Sequence, residues 1–462
     1  PLPYGDRVPA PAPTPEVVTA AADHAASWTA FRREQLRVPG VQLAVRLQGR
    51  LLHSSAHGSA DVERGTALTP QHVFRVASHS KTFTATAVLR LAEQGRLRLD
   101  DALAEHVPWV GEEDPELGRA TLRELLGHAA GVTRDGPAGD FWQLQEDFLD
   151  VDGLRTAVRA GGSLIARSSR FKYSNVGYSL LGLVLEAVAG TSYAEHVRTE
   201  LLERLELPRT TPDLPAAGDL VTGYSGLATG PRRPLTSPPT AAMAAATGFC
   251  STAEDLTAWF SAHVPGRTEV LGEHAKRLAQ RAEWSTGDSS GRTYGLGFIG
   301  ERCGERTLTG HVGSFPGHST RSVLDAEAAL AVSVLTNCID GPASELALGT
   351  VKLVDLFAAE WSHAEPAADL DAFCGRWANL WGVVDVVRAG SALLALDPAA
   401  ADPTADPVVL EAVDAEHLRV SRDGGFGSCA ETWRLHRLPD GTPALSGWTG
   451  STMVPLDRSA QG

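Results

Sequence analysis

Phe74-Arg75-Val76-Ala77-Ser78-His79-Ser80-Lys81-Thr82-Phe83-Thr84-Ala85-Thr86-Ala87-Val88-Leu89 is the stretch around which the chain is organised. It reads as a short extended segment delivering Ser78 to the start of a buried helix, with Phe83, Ala87 and Leu91 on one side and Gly95 as its stop. Residues i and i+3 share a helical face, so Lys81 lies one turn above Ser78. A primary amine beside a serine hydroxyl at the positive end of a helix is a nucleophile arrangement. The amine must be neutral to act as a base, and burial in a dry pocket or beside another cation lowers a lysine's pKa. A second match to the spacing, Ser169-Arg170-Phe171-Lys172, opens no comparable helix. Spacing alone therefore decides little, and context decides more.

The chain has 462 residues, enough for two or three domains and a sizeable core. Its 43% hydrophobic and 21% charged content is ordinary for a soluble globular protein. A formal net charge of -15 disfavours nucleic acid and anionic membrane surfaces as partners. No apolar run of transmembrane length occurs, so no membrane span is expected. Cys250, Cys303, Cys338, Cys374 and Cys429 are scattered and odd in number, which argues against a zinc site and a disulfide framework. That usage leans toward a reducing, cytoplasmic compartment. No signal peptide is visible, but the sequence starts at Pro1 and not Met, so an extracytoplasmic location follows if a leader was removed. No metal or cofactor is expected, and composition leaves the oligomeric state open.

Residues 1–15 are Pro-rich and read as an extended arm. A helix is predicted over residues 16–37, then a hairpin from strands at 41–46 and 51–57 around Gln48-Gly49-Arg50. Residues 96–290 read mostly helical. Thr121 to Glu124 has capping-box form with a helix running to Gly131, residues 175–189 form an apolar helix stopped by Gly190, and Ser251 to Glu254 again has capping-box form. Strands are expected at 294–299, 306–309, 320–324 and 330–336, with a closing helix over 342–361. Strands thus bracket a helical insert, and one sheet must be assembled from distant pieces. After residues 364–368 the texture changes to short strands with turn signals such as Arg388-Ala389-Gly390 and Pro439-Asp440-Gly441, the pattern of a small antiparallel β-barrel. The expected domains are an arm (1–15), a catalytic domain (16–362) and a barrel (368–462).

Two further motifs carry chemistry. Tyr173-Ser174-Asn175 precedes the helix over 175–189; a phenol beside Ser78 and Lys81 can move the nucleophile's proton, and Asn175 can hydrogen-bond both Lys81 and a substrate amide. His311-Val312-Gly313-Ser314 falls at the end of the 306–309 strand, where Gly313 allows close backbone approach and the Ser314 amide pairs with the Ser78 amide as oxyanion donors.

Ser-x-x-Lys, then Tyr-x-Asn, then His-x-Gly, in that order, resembles the serine β-lactamase and penicillin-binding protein superfamily. The nearest group comprises class C β-lactamases, D-alanyl-D-alanine carboxypeptidases, D-aminopeptidases and related esterases. Leu125-Leu126-Gly127-His128-Ala129-Ala130-Gly131 looks like that group's "LLxHTSG" segment, and Tyr294-Gly295-Leu296-Gly297-Phe298 also fits. The resemblance implies an α+β fold: a central antiparallel sheet flanked by helices, an all-helical subdomain, and here a lipocalin-like barrel appended. It implies Ser78 as the acylated nucleophile, Lys81 as its general base or proton partner and Tyr173 as the acid/base of acylation and deacylation. It further implies Asn175, His311, Gly313 and Ser314 as substrate-binding residues. His311 stands where penicillin-recognising members carry lysine, so a permanent cation for a substrate carboxylate is missing. The expectation is a metal-free serine hydrolase for amide or ester bonds, with D-amino-acid peptides or amides as substrates. Two alternatives stay open: a thioesterase or acyltransferase that cyclises a peptide, and a non-catalytic sensor. The Gly424-Gly425-Phe426-Gly427-Ser428 loop and Arg458 are candidates for contacting substrate.

Overall fold

The computed structural model describes residues 13–215, 218–363, 369–423, 428–447 and 451–456. Most of the expected arm, the 364–368 break, nearly all of the glycine-rich 424–428 loop and Arg458 lie outside the described residues. The chain divides into two compact units. One is Val38–Ala347; the other comprises the residues up to Arg37 and those from Leu348 onward.

The first unit is built on a nine-stranded antiparallel sheet. In spatial order its strands are Thr66–Ala67, Arg50–Asp61, Gly40–Leu47, Leu330–Thr336, His318–Asp325, Arg306–Phe315, Ile299–Cys303, Thr293–Tyr294 and Trp284–Ser285. The hairpin closes on two left-handed residues, Gln48 (φ 51) and Gly49 (φ 80), a turn whose twist matches that of the flanking strands. Gly40–Leu47 then pairs with Leu330–Thr336, with Val45 opposite Val332. All seven residues of Leu330–Thr336 are buried, which explains a run of apolar residues interrupted only by Ser333 before Thr336, where a one-faced strand would alternate. The Ala253–Ser261 helix packs on this part of the sheet, capped by the Thr252 hydroxyl, which accepts from the Asp255 amide. The cap is therefore Thr252 and not Ser251.

Between the two groups of strands lies the helical region, whose longest members are Ser80–Glu93 and Asn175–Ala189. The latter is capped by Ser174, whose hydroxyl accepts from the Gly177 amide at 2.8 Å, and it ends at Gly190 (φ 75). The Thr121 capping box is present, but its helix covers only Leu122–Leu126. His128 (φ 58) takes the chain out of the helix well before Gly131. The expected strand over 294–299 is two strands broken by a turn in which the Gly295 amide donates to the Phe298 carbonyl and Gly297 sits at φ 91. The Arg306 strand, conversely, runs on to Phe315, so His311 to Ser314 lie inside it and not at its end. Among the described residues no single helix is long and apolar enough to cross a membrane, though one bent pair passes that test by length and composition.

The second unit contains the Pro15–Gln35 helix, the Ala343–Glu360 helix from Leu348 onward and a closed barrel of eight strands paired in sequence order. The barrel shuts where Trp377 and Ala378 of its first strand meet Pro455 and Val454 of its last. Its interior is filled by Phe373, Trp377, Leu393, Leu418 and Trp433.

Candidate active site

Ser78 sits on a one-turn 3-10 helix, Ala77–His79, that runs directly into Ser80–Glu93. Ala77 holds φ 49, an uncommon conformation for a residue with a side chain, so the turn is fixed by its surroundings. Phe74 and Arg75 pair with Ser251 and Cys250. The Ser80 hydroxyl donates to the Ala77 carbonyl at 2.5 Å and accepts from the Phe249 amide at 3.0 Å. His79 ties the turn to the sheet: Nδ1–H donates to the Val76 carbonyl at 2.9 Å, leaving Nε2 to accept from the Ser322 hydroxyl at 3.0 Å. Burial pushes His79 down to about 3, so it remains a neutral strut.

Lys81 is fully buried. Its Nζ lies 2.7 Å from Asn175 Oδ1, 2.8 Å from the Ala246 carbonyl and 3.3 Å from Ser78 Oγ. The Ala246 carbonyl is available because Ala244–Gly248 is a π-turn. Tyr173 donates its phenol proton to Ser78 Oγ at 2.8 Å. Asn175 Nδ2 donates to Asp135 Oδ1 at 2.6 Å. Arg134 lies over the Tyr173 ring at 5.5 Å and pairs with Asp135 at 3.2 Å.

Burial holds Lys81 well below the ordinary lysine range, with the Asp135 carboxylate raising it and Arg134 lowering it. Burial also pushes the Tyr173 phenol above its ordinary range, against lowering by the Ser78 hydrogen bond and Arg134. Both shifts favour neutral partners. A neutral amine has two N–H groups and one lone pair. In the neutral amine the two shorter contacts, to carbonyl oxygens, use both N–H groups and leave the lone pair for the Ser78 hydroxyl, whereas an ammonium donates to all three oxygens.

The structure thus brings together Ser78, Lys81, Tyr173 and Asn175, drawn from two separate helix starts. Gly313 abuts the nucleophile turn, since a Cβ there would lie 2.3 Å from the Val76 carbonyl. Ser314 is exposed on the same strand. His311 is fully buried; its Nδ1–H donates to the Val312 carbonyl at 2.6 Å, and the Tyr294 hydroxyl donates to Nε2 at 3.2 Å. Burial, with His79 and Lys81 nearby, holds it well below the ordinary histidine range. Ser169 of the second Ser-x-x-Lys match is exposed and merely donates to the Ala166 carbonyl.

Sequence reasoning did not single out Asp135 or the Ala246 carbonyl, because neither belongs to a spacing motif. His128 was visible only as part of a segment. Its ring lies 4.3 Å from Tyr173 and 4.7 Å from Tyr294, and its Nδ1 accepts from the Ser174 amide at 3.1 Å, bracing the Tyr173 loop. Among the described residues no group of three or more His, Cys, Asp or Glu is placed to hold a metal.

Fold and site together define the class: a β-lactamase-like α+β fold carrying a serine-hydrolase-type site. Residues 24–354 match the Beta-lactamase family model, and the chain belongs to that family. Protein flp of Staphylococcus aureus strain MW2 is 25% identical over 315 residues, 65% of this chain. The matched part makes up 60% of that curated relative, so the chain accounts for less than two thirds of its length. The octameric penicillin-binding protein homologue from Pyrococcus abyssi superposes over 94% of this chain and 99% of its own, with a TM-score of 0.66 at 21% identity. The D-amino acid amidase from Ochrobactrum anthropi SV3, solved with L-phenylalanine amide, covers 73% of this chain and 98% of its own, with a TM-score of 0.60 at 23% identity. At those identities the likeness is one of fold.

Proposed function

We propose that the protein is a serine hydrolase that opens amide or ester bonds through an acyl-Ser78 intermediate, with D-amino-acid amides and peptides as its substrate class. The observation that carries this reading is the convergence of Lys81 Nζ and the Tyr173 phenol on Ser78 Oγ, at 3.3 and 2.8 Å. Ser78 Oγ attacks the carbonyl as its proton passes to the neutral Lys81 amine. The Ser78 and Ser314 amides receive the oxyanion. Tyr173 hands its proton to the leaving amine or alkoxide and regains one from Lys81, and a water reverses the sequence to release the acid. Asn175 orients Lys81 and the substrate amide.

Support for the substrate class comes from the neutral, enclosed His311. At position 311, where penicillin-recognising members carry lysine, there is no permanent cation for a substrate carboxylate, which favours amidase chemistry over carboxypeptidase or β-lactamase chemistry. The fold neighbour named as a D-amino acid amidase points the same way. The test is intact-mass measurement after exposure to a fluorophosphonate, then to D- and L-aminoacyl amides, esters and a penicillin. A single adduct at Ser78 and turnover of D-aminoacyl amides are expected. No adduct would favour a binding module, and transfer of the acyl group to added amine in preference to water would favour an acyltransferase.

A further inference from the structure

We infer that Asp135 is a positioning residue for acylation, acting through Asn175 on Lys81: it forces the orientation of the Asn175 amide and, among the described residues, supplies the negative charge acting on the Lys81 nitrogen. The inference rests on the reading of Lys81 as base. The logic is one of donors and acceptors. An ionised carboxylate can only accept, so the group that Asn175 turns toward Asp135 must be its NH2. That leaves Oδ1 toward Lys81, where it accepts an N–H. The Ala246 carbonyl takes the second N–H, and the remaining lone pair is aimed at Ser78. Without an acceptor-only group at position 135 the Asn175 amide could turn over and present N–H to Lys81. The lone pair would then be drawn away from Ser78.

The charge has its own effect. Around Lys81 stand Tyr173 and Tyr178, whose rings lie 4.7 and 5.6 Å from Nζ, along with Arg134, His128 and His311. Of the groups acting on Lys81, Asp135 is the one that favours its ammonium form, while Arg134 opposes it. Asp135 therefore keeps the amine from losing its basicity altogether, and so keeps it able to take up the Ser78 proton.

The test compares the parent protein with Asp135→Asn and Asp135→Ala, measuring the pre-steady-state rate of Ser78 acylation by an activated ester from pH 5 to 10. Thermal melting confirms that each variant is folded. The parent must acylate and Ser78→Ala must not; failure there would reject the functional reading itself. Given that, both variants should acylate about ten- to a hundred-fold more slowly. The acidic limb of the profile should move to lower pH in Asp135→Asn, because loss of the anion makes Lys81 easier to deprotonate. A residue that only held the loop in place would lower the rate without moving the limb. A folded Asp135→Asn variant whose limb stays in place or moves upward overturns the inference, as does an Asp135→Ala variant acylating within twofold of the parent.

Discussion

At the scale of single residues, the site is a division of labour between two groups that share one oxygen. Tyr173→Phe keeps the ring against His128 and beneath Arg134 and deletes only the O–H that donates to Ser78 Oγ. Turnover should fall about 10²- to 10⁴-fold while the melting temperature and substrate binding stay close to the parent's. A variant with kcat within a few-fold of the parent would show that Tyr173 moves no proton. What the sequence revealed at this scale follows from helix geometry. Ser78 and Lys81 are three apart, and Tyr173 and Asn175 frame a helix cap, so local spacing nearly suffices to bring each pair together. Asp135 is a loop acid that reaches Asn175 across 40 residues of chain. No local periodicity encodes such a contact, so only the folded chain reveals it. His311 was legible as a departure from the lysine pattern, but its enclosure by Tyr294 was not, since that contact joins two different strands.

At the scale of elements, the strand Arg306–Phe315 and the nucleophile turn behave as two faces of one slot. Gly313 sets its width: a Cβ there would fall 2.2 Å from Thr320 Oγ1 and 2.3 Å from the Val76 carbonyl. The carbonyl belongs to the turn and has little room to move. Gly313→Ala should therefore cost about 1–3 kcal/mol of stability and, by pushing the strand from Ser78, slow acylation about 100-fold. Gly139→Ala is the control, because a Cβ there meets nothing within 4 Å. Parallel melting and acylation measurements check both, and a Gly313→Ala variant matching the control would mean that the slot is not tight. The strand was expected to stop at Thr309, since Gly310 and Gly313 dilute its apolar signal; in the sheet both are required, for a Cβ at Gly310 would lie 2.1 Å from the Ser322 carbonyl. The helix over 175–189 was read correctly to the residue because its cap and its terminal glycine are both local. The expected helix after Thr121 runs too far because its left-handed exit residue is His128, while the adjacent C-cap Gly127 keeps an ordinary φ of -86.

At the scale of the whole molecule, the histidines govern how the fold meets acid. In the unit that holds the site, burial pushes His79 and His318 down to about 3 and His263 to about 4. An unfolded histidine titrates near 6.5. Below that pH the unfolded chain takes up protons that the folded chain refuses, so stability is complete above about pH 6.5 and drains as the pH falls toward the folded values. Each such histidine adds a slope of up to about 1.4 kcal/mol per pH unit within that window. Carboxylates held low by ion pairs, such as Glu113 at about 2, lose their contribution only at more acidic pH, near the ordinary carboxylate range and below. Between pH 7 and 5 these carboxylates are therefore quiet, and the buried histidines set the slope together with Lys81, whose lowered amine acts in the same sense. His318 is the cleanest reporter: it is fully buried, neither ring nitrogen has a hydrogen-bond partner among the described residues, and it lies outside the Ser78 constellation. His318→Leu should leave the melting temperature at pH 7 near the parent's or raise it, since it removes unpaired buried polar atoms. It should also make the fall in melting temperature between pH 7 and 5 shallower by about one proton's worth. Parallel curves for parent and variant across that interval would show that His318 protonates as readily in the folded chain as in the unfolded one.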